Sequence, residues 1–463
     1  GLPPRFHARV SPEAAPAPEV LGWNRDLALE LGLGSMGDDE TELARIFSGS
    51  LPLPGSQPIS MAYAGHQFGH FVPQLGDGRA VLLGELVTET GRRFDLQLKG
   101  SGHTPFSRGG DGKSWLGPVL REYILSEAMH HLGVPTTRAL AAVATGETVY
   151  RETALPGAVF TRVAASHLRV GTFEFFAARR DVEALGMLAD YAIDRHYPEA
   201  TEEQAPYAGL FRHVMARQAE LVAHWMAIGF IHGVMNTDNT SIPGETIDYG
   251  PAAYMDEFRF DKVFSSIDRQ GRYAFANQPR MAQWNLAQLG DTLLMLDVDK
   301  AELEAVLSEF PALYEARYLA LMALKLGLGQ AEEGDADLVS QWLSYLNDNE
   351  LDYTLSFREL AKRTDATDDA RFGSFETAWR QRLSRQGRSP TEISSLMNAR
   401  NPLFIPRNNR VEQAISDAVA GDLTVFEELN RVLAKPFTEQ PEFAHYAEAP
   451  EAHERVSRTF CGT

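Results

Sequence analysis

The segment His232-Gly-Val-Met-Asn-Thr-Asp-Asn239, followed by Asp248-Tyr-Gly250, constrains this chain more than any other stretch of it. It closes a run in which Phe211, Val214, Met215, Leu221, Val222, Trp225 and Met226 recur at helical spacing, which predicts a buried helix. A loop this dense in His, Asn, Asp and Gly, directly after such a helix, has two readings. It is a polar hairpin whose residues make turns, or a site where Asn and Asp oxygens hold the Mg²⁺ of a nucleotide.

Upstream features bear on that choice. Phe94-Asp-Leu-Gln-Leu-Lys99 alternates strictly, which places Phe94, Leu96 and Leu98 on one face of a strand and Asp95, Gln97 and Lys99 on the other. Before it, Gly76-Asp-Gly78-Arg79 marks a turn leading into a strand over Ala80 to Leu86. After it, a glycine-rich stretch runs to Gly112, and Val119 to Leu132 reads as a helix carrying Glu122 and stopped by Gly133 and Pro135. Two strands are expected to flank a turn at Thr145-Gly146, with another over Gly157 to Ala164. A strand Lys, a helix Glu, then Asn and Asp-aromatic-Gly in a helical region is the part order of a protein-kinase-like fold. There the Lys contacts phosphates, the Glu fixes the Lys, and the Asn and Asp hold the metal.

The expected architecture is therefore α+β and two-lobed. Residues 1–59 form an N-terminal extension with one weakly helical stretch. Residues 60–164 form a strand-rich, nucleotide-binding lobe, and 165–300 a helical lobe with the metal and catalytic loop. Residues 301–463 form a helical C-terminal extension with acidic loops such as Glu332-Glu-Gly-Asp-Ala-Asp337. The 463-residue length suits one large two-lobed core with an appendage.

One position decides the reaction. Small-molecule-kinase-like loops run His-Gly-Asp, four residues, Asn, and that Asp takes the proton of the acceptor hydroxyl. The same spacing ends here at Asn239, but the base position is Val234, whose isopropyl group accepts no proton. The nearest replacement is Asp238. Either this is a dead kinase, or the nucleotide lies so that a different phosphate and a different base are used.

Charge and cysteine content narrow the partners. The formal net charge of −20 argues against nucleic acid or an anionic membrane bound through a broad basic surface, while leaving room for a local phosphate pocket. No apolar run reaches the ~18 residues of a membrane span. The single cysteine, Cys461, forms no intrachain disulfide, and a cytoplasmic, reducing setting is expected.

Several long segments together resemble the selenoprotein O family: Ala64-Gly-His-Gln-Phe-Gly-His70, Asp95 to Arg108, Asp111-Gly-Lys113, Ser166 to Glu174, His232 to Asn239, Ile247-Asp-Tyr-Gly-Pro251, and Asn277-Gln-Pro with Trp284-Asn285-Leu286. The resemblance covers roughly residues 20 to 300. It implies a pseudokinase-like protein adenylyltransferase that moves AMP from ATP to Ser, Thr or Tyr hydroxyls of proteins, with ATP reversed relative to kinases so that the α-phosphate is exposed. It further implies ATP contacts from Gly76, Gly78, Arg79, Lys99, Asp111, Gly112, Arg162, Arg169 and Asp248. Asn239 and Asp248 are the implied Mg²⁺ ligands, Asp238 the proton acceptor and Glu122 the partner of Lys99. Mn²⁺ with UMP transfer from UTP, and a nucleotide-binding pseudokinase scaffold, stand as the alternatives. Some relatives pair a terminal Cys or selenocysteine with a cysteine after the Asp-Tyr-Gly loop; Lys262 to Ile267 contains none, which leaves Cys461 without that partner.

Overall fold

The computed structural model describes residues 2–366 and 371–460, so Cys461 lies outside the described residues. Its strands are β1 (His7–Arg9), β2 (Glu19–Trp23), β3 (Ile59–Met61), β4 (Gly65–Gln67), β5 (His70–Val72), β6 (Ala80–Val87), β7 (Arg93–Lys99), β8 (Ser114–Trp115), β9 (Arg138–Tyr150), β10 (Ala154–Ala164), β11 (Phe230–Ile231) and β12 (Ala253–Tyr254). The helices are α1 (Arg25–Glu30), α2 (Glu40–Phe47), α3 (Leu116–His131), α4 (Val170–Ala178), α5 (Val182–His196), α6 (Pro206–Ile228) and α7 (Gln278–Leu293). They continue with α8 (Lys300–Ser308), α9 (Phe310–Lys325), α10 (Asp335–Asp348), α11 (Tyr353–Ala361), α12 (Gly373–Ser384), α13 (Pro390–Asn398), α14 (Asn408–Val419) and α15 (Thr424–Leu433).

The main sheet runs β1-β3-β6-β7-β10-β9-β2, with β8 also paired to β10. Alternation in β7 decides what covers each face. Phe94, Leu96 and Leu98 pack with Leu27, Leu43 and Phe47 of α1 and α2. Asp95, Gln97 and Lys99 point the other way, and instead of meeting solvent Asp95 and Gln97 are buried. On that side α3 packs against β9 and β10 through Leu116, Leu120, Ile124 and Phe160, and α14 and α15 close over α3 with Val411, Ile415, Phe426 and Leu429. The rest of the chain is a helical body with one large core that includes Phe211, Val214, Val222, Leu286, Trp342 and Phe357. The molecule is thus mixed α/β, strand-rich first and helical afterwards. Among the described residues no helix is long and apolar enough to cross a membrane.

Three local expectations need correction. Thr145-Gly146 is no turn: β9 runs straight through it, and the reversal falls at residues 151–153 before β10. Gly146 has φ +74°, and a Cβ there would lie 2.7 Å from the Ala17 side chain, so the glycine serves a close crossing within a strand. Helix α3 starts at Leu116 rather than Val119, because Pro118 falls in the first turn, where a missing N–H costs nothing. The first 59 residues hold two α-helices rather than one weak one, and β1 and β2 from this stretch join the main sheet.

Candidate functional site

A cleft of about 610 Å³ opens between the sheet and the helical body. It is lined by Gly76, Gly78, Arg79, Lys99, Asp111, Gly112, Glu122, Arg162, Arg169, Asp238, Asn239 and Asp248, so every residue singled out from sequence reaches one cavity. They fall into three groups.

The first is an ionic cluster at the floor. Lys99 Nζ lies 2.6 Å from Glu122 Oε2 on α3 and 2.7 Å from Asp248 Oδ1. Arg162, on the neighbouring strand β10, donates to Asp248 Oδ1 at 2.8 Å, to Glu122 Oε1 at 3.2 Å and to Gln97 Oε1 at 2.7 Å. Arg169, at the N-cap of α4, donates to Asp248 Oδ2 at 2.9 Å and to the Asp238 carbonyl at 2.8 Å. Burial pushes the Asp248 carboxyl up, but Lys99, Arg162 and Arg169 outweigh it and hold the group well below the usual carboxylate range. Asp248 itself has φ +65°, a left-handed conformation uncommon for a residue with a Cβ and typical of strained functional positions.

The second group is the loop after α6. Thr237–Asn239 forms a single 3₁₀ turn. Asp238 is 7% exposed; its Oδ2 accepts from Gln67 Nε2 at 3.1 Å, and its buried Oδ1 has no donor among the described residues. Burial pushes its carboxyl up to about 7, with the Gln67 hydrogen bond and Arg169 opposing only in part. Val234 is buried and lines the cleft without offering any proton acceptor. Asn239 donates Nδ2 to the Val234 carbonyl at 3.0 Å, which turns its Oδ1 to other partners. His232 spans the loop base as a neutral imidazole, with Nε2 2.9 Å from the Ile247 carbonyl; burial pushes it down to about 4.

The third group is glycine-rich and sits at the rim. A Cβ on Gly76 would lie 2.4 Å from the Phe106 ring, and one on Gly78 would lie 2.9 Å from the Phe106 carbonyl. Thr104 Oγ1 donates to the Asp77 carbonyl and Ser107 Oγ to the Gly78 carbonyl, so the two glycine segments interlock. Asp111 stands apart from the floor cluster. It is half-exposed and gripped by Arg151 at 2.9 and 3.0 Å.

Sequence reasoning missed several residues that build this site. Asp77 is buried, accepts from Met61 N–H and Gln97, and is pushed by burial up to about 6. Its place between Gly76 and Gly78 was the only signal. Gln97 was visible in the β7 alternation. Arg121, beside Glu122, donates to the Gly250 and Ala252 carbonyls at 2.9 and 2.6 Å and to Glu412 on α14 at 3.0 Å. No local pattern marks it, since its partners lie far along the chain.

Among the described residues no group of three or more His, Cys, Asp or Glu side chains is placed to cage a cation. Asp248 and Asn239 offer one anionic and one neutral oxygen donor. That incomplete set suits a hard cation that also carries phosphate oxygens and water.

The model of the family described as protein adenylyltransferase SelO matches residues 1–434. Over its whole length the chain is 54% identical to a protein from Rhizobium rhizogenes named protein nucleotidyltransferase YdiU, covering 95% of that relative. It is 55% identical to proteins of the same name from Agrobacterium fabrum and Bradyrhizobium diazoefficiens, covering 98% and 97% of them.

Proposed function

The chain belongs to the SelO family, and on that footing we propose that it is a protein nucleotidyltransferase that moves AMP from ATP onto Ser, Thr or Tyr hydroxyls of other proteins. One observation carries the reading. In the loop His232–Asn239 the place of a kinase base holds Val234, while the only carboxylate, Asp238, lines the cleft beside Asn239 with its proton affinity raised into the neutral range.

In this enzyme the fold is two-lobed and kinase-like, with 60–164 carrying the nucleotide, 165–300 the catalytic loop and 301–463 the extension, and its setting is cytoplasmic. The acceptor oxygen attacks the α-phosphorus, its proton passes to the Asp238 carboxylate, and the bond to the β-phosphate oxygen breaks to release pyrophosphate. Lys99, Arg162 and Arg169 are drawn from Asp248 toward the phosphates, where two buried guanidinium groups and the partly buried Lys99 ammonium offset the charge that builds on the leaving group. Glu122 keeps Lys99 in line. Arg79 and the main chain of Gly76, Gly78 and Asp111-Gly112 border the nucleotide at the rim, with ATP reversed relative to kinases. Asn239 and Asp248 would hold Mg²⁺, which when bound supplies positive charge to the phosphates.

Label position tests this. Incubation of the protein with a native lysate and MgATP should transfer label from the α- and not the γ-phosphate. Transfer from α-labelled UTP with Mn²⁺ instead would change the nucleotide, and transfer of γ-label would return the site to kinase chemistry.

A further inference from the structure

The segment Ala64-Gly-His-Gln-Phe-Gly-His70 supplies none of the groups assigned above, yet it lies directly on the catalytic loop. It forms the hairpin β4–β5, with Gly65 opposite Val72, His66 opposite Phe71 and Gln67 opposite His70. Three successive hairpin residues grip three successive loop residues. His66 N–H donates to Thr237 Oγ1 at 2.6 Å, Gln67 Nε2 to Asp238 Oδ2 at 3.1 Å, and Phe68 N–H to Asn236 Oδ1 at 3.1 Å. Glu174 on α4 ties the two layers together: its Oε2 accepts from Thr237 Oγ1, and its Oε1 lies 2.5 Å from His66 Nδ1.

The hairpin is built under strain. Its two-residue turn places Phe68 at φ +52°, a conformation that Asn or Gly would adopt at less cost. The Phe68 ring is held 5.1 Å from that of Tyr273, whose hydroxyl also donates to Asn236. Gly65 is pressed so close to the loop that a Cβ would fall 2.6 Å from Asp238 Oδ1.

Within this frame Gln67 is the only side-chain donor to Asp238 among the described residues. The charged groups facing that carboxylate are Arg169, which already donates to the Asp238 carbonyl, and Asp248. A carboxylate swung onto Arg169 would become a second ion pair like Asp248 and would leave the acceptor hydroxyl without a base. A neutral amide fixes the side chain without pairing its charge. We propose that Gln67 is a positioning residue that holds the Asp238 carboxylate off Arg169 and aimed at the acceptor hydroxyl, with the hairpin as its template. This rests on the reading of Asp238 as proton acceptor.

The test is a double-mutant cycle on the full chain, using single-turnover transfer from α-labelled ATP, steady-state KM, and calorimetric MgATP binding. Gln67→Met keeps the length of the side chain and removes the donor. Gln67→Glu keeps its shape and turns the donor into an acceptor. Each should lower the transfer rate by about tenfold, the scale of one lost hydrogen bond, with KM for ATP and MgATP affinity unchanged. Neither should lower it further when Asp238→Asn is already present. A normal rate in both Gln67 variants, a loss expressed in KM, or a loss that adds fully to that of Asp238→Asn would overturn the role of Gln67 while leaving Asp238 in place. A full rate in Asp238→Asn alone would overturn the proton-acceptor reading itself, and the Gln67 role with it.

Discussion

Asp238 and Asp248 line the same cleft with opposite surroundings: Asp248 is held by Lys99, Arg162 and Arg169, and Asp238 by the single neutral amide of Gln67. One carboxylate is thereby kept ionised and the other kept basic, which is how a shared site divides an electrostatic role from a proton-transfer role.

Removing the basic one should separate chemistry from binding. Asp238→Ala is expected to lower transfer by roughly 10²–10⁴ while MgATP still binds, as checked by single-turnover transfer and calorimetry. The same burial has a stability signature. The Asp238 carboxyl sits at about 7 in the folded protein against an ordinary 3.8, so the folded state takes up a proton that the unfolded chain releases. Its contribution is present below about 4 and lost as pH rises through 7. Asp238→Asn should therefore raise stability at pH 8 by on the order of 1–3 kcal/mol and leave it unchanged near pH 4, read by urea unfolding at both values.

Asp248→Asn should do the reverse. It leaves Lys99 and Arg162 paired with Glu122 but strips Arg169 of its carboxylate, leaving it the Asp238 carbonyl, and stranded buried charge costs about 3 kcal/mol. Transfer should be abolished and the urea midpoint lowered at neutral pH. Lys99→Met should also cripple transfer, because it removes one of the three cations.

Restoring a carboxylate at the kinase position should not restore a kinase. In Val234→Asp, α-label transfer is expected to remain the only transfer chemistry, since in the proposed reversed pose the nucleotide rather than the base selects the phosphate. Appearance of γ-label on protein in this variant would return the loop to kinase chemistry.

Arg121 joins three elements, bonding the Gly250 and Ala252 carbonyls and Glu412 from its position beside Glu122. Arg121→Met should unsatisfy those carbonyls, lower stability by about 2–4 kcal/mol, and reduce transfer by loosening the Asp248 loop relative to α3. Glu412→Gln, which alters only the half-exposed end of the network, should have a much smaller effect on both measurements.

Much of the site was legible because its chemistry is written in short segments. The alternation of Phe94 to Lys99 fixes which side chains leave the sheet together, and β7 carries Asp95, Gln97 and Lys99 on one face whatever packs against it. The replacement of a base by Val234, with Asp238 four positions on, is readable without any coordinates. Gly146 shows the limit. Its neighbours read as a turn, and only the crossing of Ala17 over β9 explains a glycine inside a strand.

The sequence by itself determined the residue types, their order and the polar face of β7, because these follow from local periodicity and from what each side chain can donate or accept. Only the tertiary structure decided the charge states and partners. Asp238 and Asp248 are the same residue type, and what separates them is that Arg162 and Lys99 arrive from strands on one side while Gln67 arrives from a hairpin on the other. Desolvation and Coulomb attraction depend on distances between segments far apart in the chain, and no local pattern carries those distances.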